Sequence, residues 1–141
     1  MRIENELNMT NIETEKVELQ QPAEKIFTFL SDFNNFQSLM PAQVSNWQST
    51  SDTCTFTINN MATVGMKMVS KEPFTKINIV SDGGKVPFTF TLNVAITPTG
   101  DSTCIGQLLF EADIPMFIRP MVTGPLTNFF NLLAKKMTEI K

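Results

Sequence analysis

The chain has 141 residues, a net charge of −3, 42% hydrophobic residues and 18% charged residues. This length suits one domain with a sizeable core, and the composition is that of a globular protein, which excludes gross disorder. The 11 basic residues are dispersed, with only Lys135 and Lys136 adjacent. The basic stripe that binds nucleic acid is therefore missing, and no nucleic-acid partner is expected.

Histidine and tyrosine are absent from the sequence, whereas there are 12 phenylalanines and 9 methionines. Without histidine the chain lacks the usual general base and the commonest metal ligand, so neither a metal nor another cofactor is expected. Its methionines supply soft apolar volume, which fills irregular spaces. Cys54 and Cys104 lie in strand-like segments and are predicted to be two buried free thiols, since nothing marks secretion.

Residues 1–9 are polar and are predicted to form a flexible tail, followed by a single domain over residues 10–141. The tail lacks the apolar core of a signal peptide. No apolar run in the sequence approaches the length of a membrane span. A cytoplasmic location is therefore expected, and no transmembrane segment is predicted.

The first part of the domain combines one strand with two short helices. Residues 10–20 alternate in part between apolar and polar, which predicts a strand. Proline at position 22 opens a helix that runs to residue 30. Ser31-Asp32 then supplies a cap for a second short helix over residues 33–40, which Pro41 ends.

From residue 44 onward, alternation of apolar and polar residues predicts strands joined by turns. The strands are expected around Trp47 and over residues 53–59, 62–72, 76–81, 86–97 and 102–112. The turn signals are Asn59-Asn60, the hairpin signal Asp82-Gly83-Gly84, and Pro98 to Asp101.

The C-terminal segment is predicted to be one long amphipathic helix. Residues 113–123 are apolar, but Pro115 and Pro120 rule out a continuous helix interior there. Gly124-Pro125 is a start signal for a helix over residues 125–140. Its apolar stripe consists of Leu126, Phe129, Phe130, Leu133, Met137 and Ile140. Since no second long helix is available, this stripe must pack on a sheet, which gives an α+β fold with a curved antiparallel sheet of about seven strands wrapped around the helix.

This order of elements resembles the START/polyketide cyclase/major-birch-pollen-allergen (SRPBCC) superfamily. The similarity is carried by Pro22-Ala23-Glu24-Lys25-Ile26-Phe27, Leu30-Ser31-Asp32 and Leu39-Met40-Pro41, and by residues 122–137. The closing helix is similar to that of small bacterial members, including the carbon monoxide dehydrogenase G-like proteins. The resemblance implies a helix-grip fold with a tunnel between sheet and helix that holds an apolar ligand. Cyclases and dehydratases of the superfamily tend to use histidine, tyrosine, arginine or acidic groups there, so their catalytic machinery is not carried over to this chain.

The inward-facing residues either form a plain packed core or line a ligand pocket, and the sequence leaves both interpretations open. Residues 113–124 are hypothesised to form the lip of the tunnel, with an arginine at its entrance that meets a carboxylate or phosphate head group. Alternatively, this segment packs under the first helices and its arginine points into water. The candidate ligand-binding residues are Phe56, Met66, Met68, Phe88, Phe90, Leu108, Phe110, Met116, Arg119, Met121, Phe129, Phe130 and Leu133.

Three functions are considered, on the basis of these patterns and of what the resemblance implies. The leading one is a non-enzymatic binding module for a hydrophobic or amphipathic small molecule, lipid-like or polyketide-like. The second is an enzyme of the cyclase or dehydratase kind that uses Glu111 and Asp113, two carboxylates at strand spacing. The third is an interaction subunit that docks a protein or a membrane surface through residues 114–122, with an exposed apolar patch and no sizeable cavity. The oligomeric state is left open.

Overall fold

The computed structural model of the chain describes residues 9–60, 62–86 and 88–141. The tail predicted over residues 1–9 lies outside the described residues except for Met9. No helix in the described part of the chain is long and apolar enough to span a membrane.

Eight antiparallel strands form one sheet in the order β1-β8-β7-β6-β5-β4-β3, with β2 also paired to β8. From β3 to β8 each strand pairs with the next along the chain, which is the predicted meander. The strands are β1 Thr10–Glu13, β2 Val17–Leu19, β3 Val44–Ser49, β4 Thr53–Ile58, β5 Ala62–Glu72, β6 Lys76–Gly84, β7 Phe90–Pro98 and β8 Cys104–Ala112.

The single first strand predicted over residues 10–20 is two strands, β1 and β2, and both pair with β8. The break lies at Thr14, whose backbone N–H donates to the carbonyl of Leu108 at 3.0 Å. The Thr14 hydroxyl oxygen accepts the backbone N–H of Leu108 at 2.9 Å, in place of the carbonyl that would continue the ladder. The Thr14 side chain therefore joins the break between the two short strands to β8, which the alternation of the sequence could not reveal.

Both short helices are present after β2. Helix α1 spans Ala23–Leu30, directly after Pro22, and buries Ala23, Ile26, Phe27 and Leu30. The second is a 3₁₀ helix, Phe33–Leu39, and its cap is Asp32, whose carboxylate accepts the backbone N–H of Asn34 at 2.9 Å. The predicted cap is thus confirmed.

The long C-terminal helix begins six residues earlier than predicted. Helix α2 spans Arg119–Lys136 and continues as a 3₁₀ turn, Met137–Glu139. Pro120 is accommodated because the first turn needs no N–H donor, so this proline did not end the helix. Pro125 is inside the helix rather than at its start, and it offers no N–H to the carbonyl of Met121.

The apolar stripe of α2 packs on the inner face of the sheet, which confirms the predicted α+β arrangement. The stripe residues Phe129, Phe130, Leu133, Met137 and Ile140 are buried, and Leu126 is half-buried. Cys54 and Cys104 are buried and free, as predicted.

The hairpin turn predicted at Asp82-Gly83-Gly84 is wrong. Strand β6 continues through Gly84, which pairs with Val64, and the register of β5 against β6 shifts between Val64 and Met66. Gly83 and Gly84 have positive φ angles of 73° and 76°, and a Cβ on Gly84 would lie 2.7 Å from the backbone nitrogen of Gly65. The glycines allow a bulge with close backbone approach. The next strand therefore starts at Phe90 rather than at residue 86.

Candidate ligand cavity

A cavity of about 410 Å³ lies between the inner face of the sheet and α2. Strands β4, β5, β7 and β8 form its floor, α2 forms its roof, and connecting segments close its sides. Its lining residues are Met40, Gln43, Phe56, Ile58, Asn59, Ala62, Val64, Met66, Val86, Phe88, Phe90, Leu92, Phe110, Ile118, Met121, Val122, Pro125, Leu126, Phe129, Phe130 and Leu133.

Six of these lining residues are phenylalanines whose rings contact one another in series. We call them the aromatic wall, and its members are Phe56, Phe88, Phe90, Phe110, Phe129 and Phe130. Successive ring centroids are 6.4 Å apart for Phe56–Phe129, 5.3 Å for Phe129–Phe130, 4.7 Å for Phe130–Phe110, 5.4 Å for Phe110–Phe90 and 6.5 Å for Phe90–Phe88.

Trp47 extends the aromatic wall from behind. Its indole ring stacks on Phe56 with centroids 5.3 Å apart and planes 25° apart. The indole N–H donates to the hydroxyl oxygen of Ser49 at 3.0 Å, which fixes the ring against the wall. Aromatic pairs at these distances stabilise each other beyond the area they bury, so the wall holds its shape without an occupant.

Among the described residues that line the cavity, only Gln43 and Asn59 have polar side chains. The two are adjacent because the backbone N–H of Asn59 donates to the carbonyl of Gln43 at 2.9 Å. None of these lining residues carries a titratable side chain. The cavity thus offers apolar contact and two amide groups, and no acid or base.

The cavity reaches solvent at the N-terminal end of α2. Its lining residues Asn59 and Pro125 are exposed, and Met121 is 68% exposed. Asn59 belongs to the turn between β4 and β5, whereas Met121 and Pro125 belong to α2. An occupant would therefore enter between this turn and the first two turns of the helix.

Nine of the thirteen residues predicted to bind a ligand line this one cavity. They are Phe56, Met66, Phe88, Phe90, Phe110, Met121, Phe129, Phe130 and Leu133.

The other four predicted residues do not line the cavity. Met68 is half-buried on β5, one step beyond the floor. Leu108 is buried on β8, opposite Val94, where the core is closed. Met116 is 72% exposed.

Arg119, the fourth, lies against the segment that precedes α2. Its guanidinium nitrogen Nη2 donates to the carbonyl of Ile114 at 3.1 Å. Ile118 and Val122, not Arg119, turn toward the cavity from this part of the chain. The arginine is thus part of the N-terminal anchor of α2, and the predicted head-group site at the entrance does not form around it.

The two carboxylates considered for catalysis lie outside the cavity. Glu111 and Asp113 are both exposed. Glu111 is on the outer face of β8, where it lines a shallow groove of about 200 Å³ together with Glu13 and Asn93. The paired-acid site is therefore wrong, because the residues of β8 that face inward are Cys104, Gly106, Leu108, Phe110 and Ala112.

Several lining residues were not predicted from the sequence. Gln43 and Asn59 are ordinary loop residues in the pattern, and nothing in their spacing indicates that they meet. Ile118 and Val122 belong to the segment predicted to form the lip of the tunnel, but neither they nor Pro125 were among the candidate ligand-binding residues, because the helix was predicted to start too late. Asn59 did carry one signal, since it belongs to an Asn-Asn turn that places loop side chains at one end of the sheet.

An exposed apolar patch adjoins the cavity, formed by Met116, Phe117 and Met121, which are 72%, 83% and 68% exposed. The interaction-subunit hypothesis predicted such a patch without a sizeable cavity. The protein has both, and Met121 belongs to both.

Comparison with known proteins establishes the fold. No family model matches the chain, and no curated protein sequence does. A START superfamily protein from Mycobacterium smegmatis is similar with a TM-score of 0.70 and 16% identity, over 93% of this chain and 94% of that one. Norcoclaurine synthase from Thalictrum flavum, solved in complex with dopamine and hydroxybenzaldehyde, has a TM-score of 0.67 and 16% identity over 99% and 93%. The protein XoxI from Bacillus cereus has a TM-score of 0.71 and 10% identity over 93% of each chain.

These similarities confirm the helix-grip fold that the sequence predicted, of the START and norcoclaurine synthase type. Identities of this size carry no activity from one protein to another, because one fold supports many functions. The narrower resemblance to carbon monoxide dehydrogenase G-like proteins stays a prediction.

Proposed function

We propose that this helix-grip protein is a binding module for a hydrophobic or amphipathic small molecule, lipid-like or polyketide-like, which occupies the cavity between the sheet and α2. The observation that carries the proposal is the cavity itself: about 410 Å³ of almost wholly apolar space with an opening to solvent. Small-molecule pockets are typically about 300–1,000 Å³, mostly apolar, and fixed by a few polar groups.

The energetics support an occupant. An apolar space of this size is poorly hydrated, and leaving it empty sacrifices the dispersion contacts of its lining. An apolar guest restores these contacts and gains roughly 25 cal/mol for each Å² of apolar surface removed from water. The aromatic wall offers flat faces to rings or acyl chains, and the flexible side chains of Met66 and Met121 adapt to differently shaped guests.

The residues we propose for binding are the nine predicted ones that line the cavity, with Gln43 and Asn59 as its polar end. A solved structure of similar fold, norcoclaurine synthase, was obtained in complex with dopamine and hydroxybenzaldehyde, which supports the use of this fold for small organic molecules.

An enzyme of the cyclase or dehydratase kind is not the function we propose. General acid–base catalysis requires a titratable group within hydrogen-bond reach of the reacting atom. The lining residues described above provide none, and Glu111 and Asp113 are on the outside.

The proposal is tested by calorimetric titration with N-phenyl-1-naphthylamine, a neutral aromatic probe, and by native mass spectrometry of the purified protein. Leu126→Trp replaces an aliphatic side chain with a bulkier indole ring that fills part of the cavity, and it is expected to weaken probe binding at least tenfold. The matched control is Leu132→Trp on the same helix, because Leu132 is 37% exposed and does not line the cavity.

We expect saturable binding of the probe to the wild-type protein and to Leu132→Trp. Native spectra that carry added mass, removed by the probe, would identify a co-purified guest. Absence of probe binding to the wild-type protein, together with native spectra that carry no added mass and with no binding of the two amphiphiles named below, would refute the binding function. Equal affinity of Leu126→Trp and Leu132→Trp would show that the probe binds elsewhere.

A further inference from the structure

The cavity has a polar end and an apolar body. The polar end is formed by Gln43 and Asn59, whose backbones are joined by the hydrogen bond between the Asn59 N–H and the Gln43 carbonyl. The apolar body is bounded by the aromatic wall. A guest that satisfies both parts has one hydrogen-bonding end near the mouth and an apolar remainder under α2.

No cation lines the cavity within the described ranges 9–60, 62–86 and 88–141. Three basic residues are next to lining residues in the chain. Lys67 follows Met66, but it is exposed and does not line the cavity. Lys85 precedes Val86, but its side chain is exposed and does not line the cavity. Arg119 follows Ile118, but its guanidinium group donates to the carbonyl of Ile114.

Gln43 is half-buried and Asn59 is exposed at the mouth, so a carboxylate, sulfate or phosphate group bound between them would give up part of its hydration without gaining a positive partner. Partial loss of hydration costs an ion more than it costs a neutral polar group, because the ion's full charge is solvated by water. The primary amides of Gln43 and Asn59, by contrast, each provide a carbonyl acceptor and two N–H donors. These groups match a hydroxyl, a ketone or an amide.

From this we infer that the cavity selects uncharged amphiphiles, whose single polar group is hydrogen-bonded by Gln43 and Asn59, over ionised amphiphiles of the same shape. The inference rests on the binding function proposed above and deepens it by naming the charge class of the guest.

The test is a competition at pH 8 between N-phenyl-1-naphthylamine and two chains of equal length, dodecan-1-ol and dodecanoate. Both are unbranched chains with the same number of carbon atoms, so their difference in affinity mainly reports the head group. We expect the alcohol to displace the probe at a concentration at least tenfold lower than the carboxylate. A ratio below tenfold overturns the inference.

A second arm locates the polar contact. In the double variant Gln43→Met/Asn59→Gly, both amides are removed while chain length at position 43 is kept. Glycine suits position 59, where φ is 54°. We expect the affinity for dodecan-1-ol, taken relative to that for the probe, to fall at least threefold, as loss of a net hydrogen bond implies.

The matched control is the double variant Gln48→Met/Asn60→Gly. Both side chains are exposed and outside the cavity, and Asn60 has a similar φ of 58°. Its affinities should equal those of the wild-type protein. If the alcohol binds both double variants equally well, the assignment of Gln43 and Asn59 is overturned.

The two proposals fail in different ways. If neither the probe nor either amphiphile binds the wild-type protein and native spectra carry no added mass, the binding function itself is wrong. If the probe binds saturably and the alcohol and the carboxylate compete equally, the binding function stands and only the selection against charge is wrong.

Discussion

The two ends of α2 differ in how they pack against the sheet, although they share one apolar stripe. At the C-terminal end, a Cβ on Gly106 of β8 would lie 2.5 Å from Met137 Cε and 3.0 Å from Leu19 Cδ1, so the core is closed there. At the N-terminal end, Leu126 and Phe130 face a cavity of about 410 Å³.

The difference arises from the elements that pack against the stripe at each end. Near Met137 the space is also filled from β2. Helix α1 covers another part of the sheet, where it packs against β6 and β7, with Ile26 and Ile77 fully buried. Near the mouth, connecting segments and the curved sheet form the boundary, and no second helix of the described residues lines the interior. One amphipathic stripe can thus be half core and half binding surface, depending on whether other elements insert beneath it.

The largest expected effect comes from a matched pair of methionine truncations. Met137 is 1% exposed at the closed end, and Met66 is 5% exposed but lines the cavity. Met137→Ala should lower the free energy of unfolding by about 2–5 kcal/mol, because it opens a cavity in tight packing. Met66→Ala should cost about half as much, because it only enlarges existing space. Urea unfolding measures both, and equal losses would show that the two ends are packed alike.

A pair of valine enlargements is expected to have the next largest effect. Val94 is 1% exposed on β7 and away from the cavity, whereas Val64 lines it. Val94→Phe should destabilise the protein by about 1–3 kcal/mol through overpacking. Val64→Phe should change stability by less than about 1 kcal/mol while it abolishes binding of N-phenyl-1-naphthylamine. Severe destabilisation by Val64→Phe would mean that the cavity has no room for the larger side chain.

Alkaline titration tests whether Cys54, on one of the strands that form the cavity floor, is shielded from water. Burial raises the pKa of the Cys54 thiol to about 12, and its strand partner Met66 lines the cavity. Above about pH 9 the unfolded chain loses this proton while the folded protein keeps it, so stability falls as pH rises, by about 1 kcal/mol at pH 10.

The variant Cys54→Ala should remove this part of the pH dependence. Only the slope of unfolding free energy between about pH 8 and pH 10 is compared, since the substitution also changes packing at every pH. Identical slopes of unfolding free energy against pH in the variant and the wild type would show that water reaches Cys54 from the cavity. Cys104, whose pKa burial also raises, is present in both proteins and cancels.

The smallest expected effect concerns the first two turns of α2. Pro125→Ala supplies an N–H to the carbonyl of Met121 and should slow amide hydrogen exchange over residues 122–126 by about tenfold, with a stability change below about 1 kcal/mol. Pro120→Ala, in the first turn, is the control and should leave exchange unchanged. Unaltered exchange in Pro125→Ala would show that the missing hydrogen bond does not limit opening at the mouth.

The sequence predicted the architecture well because each element carries local signals. Pro22 and Asp32 mark helix starts in any context, and the alternation in β4 and β7 defines a buried face without reference to partners. Errors arose where a local signal has two meanings. Gly83-Gly84 is equally suited to a hairpin or a bulge, and Pro120 permits the first turn of a helix as readily as it ends one.

The cavity itself could be predicted only in part. Which residues face inward follows from periodicity, so Phe56, Phe110 and Phe130 were found. Whether those side chains meet or leave space depends on the curvature of the sheet and on which elements fill the space under the other end of α2. Both depend on the tertiary structure. The same limit explains why Arg119 was expected at the entrance and Gln43 was missed.

The stacked pair Trp47–Phe56 gives this protein an intrinsic fluorescence probe beside the cavity. The sequence contains 1 tryptophan, and it touches the wall that any guest would press on, so all indole emission originates at that boundary. Screening of compound collections can therefore use the native chain without dye or label, and a guest that shifts the phenyl ring should be seen as a change in emission wavelength or intensity.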